Sequence, residues 1–200
     1  MPVGFSQWCL SSGFGDIEAV RRLDKELSSS GRFEYEQDTT GRFERALTAA
    51  EWEGDVGEVL VLEEAGMPVA FVHLVAHRSP EKVAGVCPAL TVEIAALAVH
   101  PDFQGLGRGS DLVERTLKRN DSDQYVMWAT VSPENGAMLA VLFKHDFVCS
   151  VHLDKFTNEK DRLLLQRAPS GAKTVESYML IDAAYVERVT RPIYEPIVVG

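Results

Sequence analysis

Six consecutive residues, Gln104-Gly105-Leu106-Gly107-Arg108-Gly109, carry the most specific chemistry in this 200-residue chain. Glycines at 105, 107 and 109 remove the Cβ atoms that would keep backbone N–H groups from converging on an anion. The residues that follow set Leu112, Val113 and Leu117 on one side and Asp111, Glu114, Arg115 and Lys118 on the other. That pattern predicts a helix over 109–118 whose positive end faces the same point, so a phosphorylated ligand is expected there. Upstream, Thr91–Val99 is apolar apart from Glu93. A carboxylate in such a strand is a candidate general base, because burial raises its pKa toward a useful range. The alternative is a strand Glu that points to water or pairs with an Arg.

The glycine spacing excludes a P-loop and leaves a dinucleotide site as the weaker alternative. A dinucleotide fingerprint needs its third glycine one residue later, and position 110 is Ser. No acidic residue closes a following strand about 20 residues on, where a ribose contact belongs. A P-loop needs Lys-Ser or Lys-Thr after the glycines, and neither follows.

Alternating and helical patterns organise the rest of the chain. Phe5–Leu10 reads as a strand, Asp16–Leu27 as a helix with Ile17, Val20, Leu23 and Leu27 on one face, and Thr40–Trp52 as a second helical segment. Glu58–Glu63 and Val69–Ala76 predict an antiparallel hairpin across the turn EAGMP. Ser79–Ala89 is a loop and Thr91–Val99 the next strand. Tyr125–Val131 follows as a strand, then a helix that opens on Ser-Pro-Glu, with Ser132 suited to the N-cap, and runs to about Lys144. A strand, helix, strand succession implies a parallel strand pair. Phe147–Phe156 and Arg162–Arg167 form a closing hairpin. From Pro169 the chain becomes linker-like, with one more strand over Val175–Ile181. Residues 1–168 are therefore expected to form one domain. Residues 169–200 form an extension that packs on it or completes a homodimer contact.

With 46% hydrophobic residues, the chain buries enough core to need no disulfide. Cys9, Cys87 and Cys149 are odd in number and lack metal-ligand spacing, which suits buried roles in a reducing compartment. His73 and His77 would share a strand face about 13 Å apart, too far to grip one metal. No metal site is expected from these or from His100, His145 and His152. No leader-like or membrane-spanning run occurs, so a cytoplasmic protein without membrane contact is expected. A net charge of −10 without a long basic patch argues against nucleic acid. Glu51, Glu53, Asp55, Glu58, Glu63 and Glu64 gather without a Lys or Arg between them. Such a run is either a solvated face or an attractor of cationic amines.

The hexapeptide resembles the Gln/Arg-x-x-Gly-x-Gly/Ala signature of the GNAT superfamily of N-acetyltransferases, matching every specified position. The preceding Ala98-Val99-His100-Pro101 is similar to the strand end and turn of that family. Asn135 opens, and Phe147 ends, a segment similar to Asn-x-x-Ala-x-x-Leu-Tyr-x-x-x-Gly-Phe, with Met138 at the Ala position, Val141 at Leu, Leu142 at Tyr and Asp146 at Gly. The resemblance is close over Glu93–Phe147.

The resemblance implies an α/β (α+β) fold. Its sheet is mixed, mostly antiparallel and flanked by helices, with a parallel strand pair that splays at the acetyl-coenzyme A site. It implies an acetyl-CoA-dependent N-acetyltransferase that moves an acetyl group to an amine of a small molecule, peptide or protein by direct attack. Gln104, Gly105, Leu106, Gly107, Arg108 and Gly109 would hold the pyrophosphate, with Leu97, Ala98, Val99 and Asn135 also binding the coenzyme. The Val99 amide would receive the developing oxyanion, and Glu93 would be the base. Tyr125 and Trp128 would line the acceptor pocket or pack in the core. The family's usual acid, a Tyr, is Leu142 here, which leaves Tyr178, Tyr185 or water to protonate the thiolate. A catalytically weak or inactive acyl-CoA-binding protein of the same fold is the alternative.

Overall fold

In the computed structural model, which describes residues 21–23, 25–26, 58–78, 90–119, 125–157 and 160–167, β1 (Glu58–Glu64) and β2 (Met67–Arg78) pair antiparallel. Their turn is shorter than the sequence pattern implies. Ala65 and Gly66 alone make it, with φ of 51° and 77°. Two left-handed residues match the right-handed twist of the strands they join. Met67 and Pro68 therefore belong to β2, and Pro68 faces Glu63 beside a register shift, where a missing N–H does least harm.

Along the chain, β3 (Leu90–Val99) follows, then a 3-10 turn at Pro101–Phe103 and helix α1 (Arg108–Arg119). Next come β4 (Tyr125–Val131), α2 (Gly136–Lys144), β5 (Val148–Thr157) and β6 (Lys160–Arg167). The six strands form a mixed sheet in the order β1-β2-β3-β4-β6-β5, mostly antiparallel with β3 and β4 as the parallel pair. Among the described residues, no helix is long and apolar enough to cross a membrane.

The chain divides into two compact units. The first, Met1–Ala76 with Glu93–Asp121, holds β1, most of β2 and β3, and α1. Its core is Val59–Leu62, Val69–Val75, Ile94 and Ala98 with Leu112, Val113 and Leu117 of α1. Burying each of those helix side chains stabilises the fold by about 1.5–3 kcal/mol. Thr116 is buried among them because its hydroxyl donates to the Leu112 carbonyl at 2.8 Å. Glu114, Arg115 and Lys118 face water, as the amphipathic pattern requires. Of the expected N-terminal helix, Arg21, Arg22, Leu23, Lys25 and Glu26 are described and helical, with Leu23 buried and the charged residues exposed. The strand at Phe5–Leu10, the helix at Thr40–Trp52, the loop Ser79–Ala89 and everything from Pro169 lie outside the described residues, as do Cys9 and Cys87.

The second unit is His77–Val92 with Ser122–Gly200. Here β6 lies between β4 and β5, with Leu165 facing Ala129 on one side and Cys149 on the other. Cys149 is exposed, against the expectation of a buried thiol, because it sits on the outermost strand. Trp128 is fully buried, stacks against His77 with ring centroids 5.4 Å apart, and donates from Nε1 to Thr91 Oγ1 at 3.2 Å. It is a core residue with its one donor satisfied, not a pocket wall.

Helix α2 begins one turn later than the Ser-Pro-Glu start suggests. Asn135 is the N-cap, its Oδ1 accepting from the Met138 amide at 3.0 Å, while Ser132 Oγ accepts from Glu134 N in the preceding turn. The helix ends in a Schellman arrangement: Phe147 N donates to Leu142 O at 3.2 Å and Asp146 N to Phe143 O at 3.3 Å. Asp146 holds φ at 64°, the left-handed conformation that favours glycine. Asp146→Gly is expected to raise unfolding stability by about 0.5–1 kcal/mol in urea titration. An unchanged or lower midpoint would show that this strain is relieved elsewhere.

Candidate active site

The site is built where β3 runs out. At that end, His100 N donates to Val69 O at 2.8 Å, tying the strand terminus to β2. The His100 Nδ1 accepts from Asp102 N at 3.2 Å and so caps the Pro101–Phe103 turn, while its Nε2 lies 3.1 Å from Glu26 Oε2. Gln104 then turns back and donates from Nε2 to the Val99 carbonyl at 3.0 Å. This side chain is a brace for the loop: it fixes Gln104–Gly109 against the strand it follows.

Gly105 and Gly107 hold φ of 74° and 82°. A Cβ at either would meet nothing within 4 Å, so the reason for glycine is backbone conformation and not close approach. Helix α1 opens directly from this loop, its first internal bond running from Asp111 N to Gly107 O at 2.9 Å. By helix geometry the amides of Arg108 and Gly109 have no carbonyl one turn back. With Gly105, Leu106 and Gly107 exposed, those donors and the helix dipole fit a pyrophosphate.

Arg108 has other company than a phosphate. Its Nε pairs with Glu64 Oε1 at the end of β1, and its Nη1 lies 3.6 Å from Asp111 Oδ2. Glu64 escapes sequence reasoning because no local spacing links the last residue of a hairpin strand to a helix start so far along the chain. The acidic run it closes suggested only solvent or amines.

Glu93 is 2% exposed in β3, which removes the water-facing alternative. Neighbouring Val92 and Ile94 are buried as well, so both faces of the strand are covered there. Because β3 is extended throughout, the six steps from Glu93 to Val99 span about 20 Å.

Leu97, Ala98, Val99 and Gln104–Gly109 thus gather with Glu93 in the first unit, whereas Asn135 stands in the second. There its Oδ1 serves α2 as a cap. Leu142, at the position the family gives to Tyr, is fully buried, and it is the residue whose carbonyl accepts from Phe147 in the helix stop. The side chain of Tyr125 is not described, and Tyr178 and Tyr185 lie outside the described residues. His73 and His77 are both buried. His152, Asp154 and Asp161 bring one ligand atom each within 4.8 Å of one another, but all three are exposed, and exposed acidic groups gather in this way without an ion.

No curated protein matches the chain. Among solved structures, an acetyltransferase of the GNAT family from Streptococcus pneumoniae superposes with a TM-score of 0.61 at 17% identity, covering 82% of this chain and 98% of that one. Arabidopsis thaliana Naa50, in complex with the bisubstrate analogue CoA-Ac-MVNAL, gives 0.58 at 14% identity over 78% and 94%. The ribosomal-protein-S18-alanine N-acetyltransferase from Escherichia coli gives 0.56 at 16% identity over 81% and 94%. At these identities the likeness is one of fold. The family model described as "Acetyltransferase (GNAT) family" matches residues 18–147, and the chain belongs to that family.

Proposed function

We propose that this protein is an acetyl-CoA-dependent N-acetyltransferase that passes an acetyl group to an amine of a small molecule, peptide or protein by direct attack. The observation that carries the reading is the glycine loop Gln104–Gly109 opening α1 in the same unit as the buried Glu93. First-turn amides grip the pyrophosphate, and the braced loop sets where the thioester falls along β3. An amine with a pKa near about 10.4 is protonated at neutral pH, so Glu93 takes its proton through water before attack. The Val99 amide at the strand end receives the developing oxyanion. Val99 also has a part in holding the coenzyme there. Coenzyme A leaves as the thiolate and takes its proton from water.

A peptide or protein amine draws support from the solved neighbours, which include a complex with CoA-Ac-MVNAL and an S18-alanine N-acetyltransferase. Leu142 favours a second reading, an acyl-CoA binder without turnover, since a buried leucine supplies no acid. Acetyl-CoA at 100 times its Kd is expected to stabilise the protein by about 2.7 kcal/mol, while NAD leaves its melting temperature unchanged. Thiol release with a panel of amines and peptide N-termini then separates enzyme from binder. Stabilisation by NAD in place of acetyl-CoA would overturn both readings.

A further inference from the structure

The cation of the glycine loop is already matched by acid. Arg108 and Glu64 are 24% and 29% exposed, shielded enough for their pairing to outlast ordinary surface screening. Asp111 stands on the other side of the same guanidinium. Two carboxylates on one guanidinium leave a local charge of about −1 at the start of α1, the point where a diphosphate brings further negative charge. The amides alone then favour the ligand, and Glu64 opposes it.

We infer that Glu64 is a positioning residue that sets coenzyme affinity: through its ion pair it withholds the Arg108 charge from the pyrophosphate and adds its own repulsion. This rests on the coenzyme reading above and extends it to control of the grip. Because acetyl-CoA and the product coenzyme A share the same pyrophosphate, Glu64 weakens both equally. Its consequence is faster release of product.

The test is Glu64→Gln, which keeps the shape and hydrogen-bonding capacity of the side chain and removes its charge. Affinities for acetyl-CoA and for coenzyme A are measured by titration calorimetry at low and high salt, beside the melting temperature. Both affinities are expected to rise about fivefold, the ~1 kcal/mol of a unit-charge interaction at short range in a water-like medium. The gain should shrink at high salt and, measured against Arg108→Gln, in the Glu64→Gln/Arg108→Gln double variant, where only the repulsion by Glu64 is left to relieve. Asp111→Asn, on the more exposed side of the guanidinium, should shift both affinities the same way by less, and it stands in if Glu64→Gln does not fold. A purely structural ion pair would lower the melting temperature without tightening either ligand. Unchanged or weaker binding in the variants overturns the inference while leaving the coenzyme reading intact. Failure of coenzyme A to bind the unaltered protein overturns both.

Discussion

Glu93→Gln is expected to lower kcat/KM for amine acetylation by about 100-fold or more, with the Kd for acetyl-CoA unchanged within about twofold. Removal of a positioned general base commonly lowers rate by 10²–10⁴-fold. Glu93 is the one carboxylate of β3 and is buried, so no neighbouring acid on that strand can replace it. Glutamine preserves the volume of the side chain and one of its two acceptor oxygens, and thermal unfolding reports any loss of stability. The variant therefore separates chemistry from folding, and the two measurements are turnover across pH and thermal unfolding. If the enzyme reading holds, the residual rate rises with the fraction of neutral amine. Turnover and pH profile that match the unaltered protein would exclude Glu93 as the base.

The second large effect is expected at Gly107. With φ at 82° and open space where a Cβ would stand, Gly107→Val meets no clash, yet a β-branched residue is strongly disfavoured at that φ. Holding such a conformation costs about 1–3 kcal/mol. The Gly107 carbonyl also accepts the first bond of α1, from the Asp111 amide, so relaxation of its backbone turns the helix start and the Arg108 and Gly109 amides away from one point. Affinity for acetyl-CoA should fall about 10- to 100-fold, the affinity equivalent of that strain. The Leu112, Val113 and Leu117 packing further along α1 should hold, so hydrogen exchange of the helix's later turns stays protected. Unchanged affinity would mean that the ligand does not use these amides.

The parts of the molecule that were legible from residue order are those whose cause is local. Gly105 and Gly107 announce left-handed backbone, the spacing of Leu112, Val113 and Leu117 announces a helix on a sheet, and Ala65-Gly66 between apolar runs announces a hairpin. Errors came where two local devices compete. Ser132 and Asn135 are both good caps, and the choice fell to Asn135 because its carboxamide reaches Met138 N while Ser132 is engaged in the preceding turn. Asp146 fills the family's glycine position because aspartate tolerates the left-handed conformation that the helix stop demands.

By itself, the sequence determined the glycine-rich loop, the helix behind it, the strand that leads into it and, through resemblance, the family. These depend on φ preferences and on periodicities that neighbouring residues express. Only the tertiary structure decided that Trp128 is core, that Cys149 is exposed, that Glu93 is enclosed on both faces of β3, and that Arg108 meets Glu64. Each of those outcomes is a burial or a pairing between segments far apart in the chain, and long-range contacts leave no periodic trace in the segments they join.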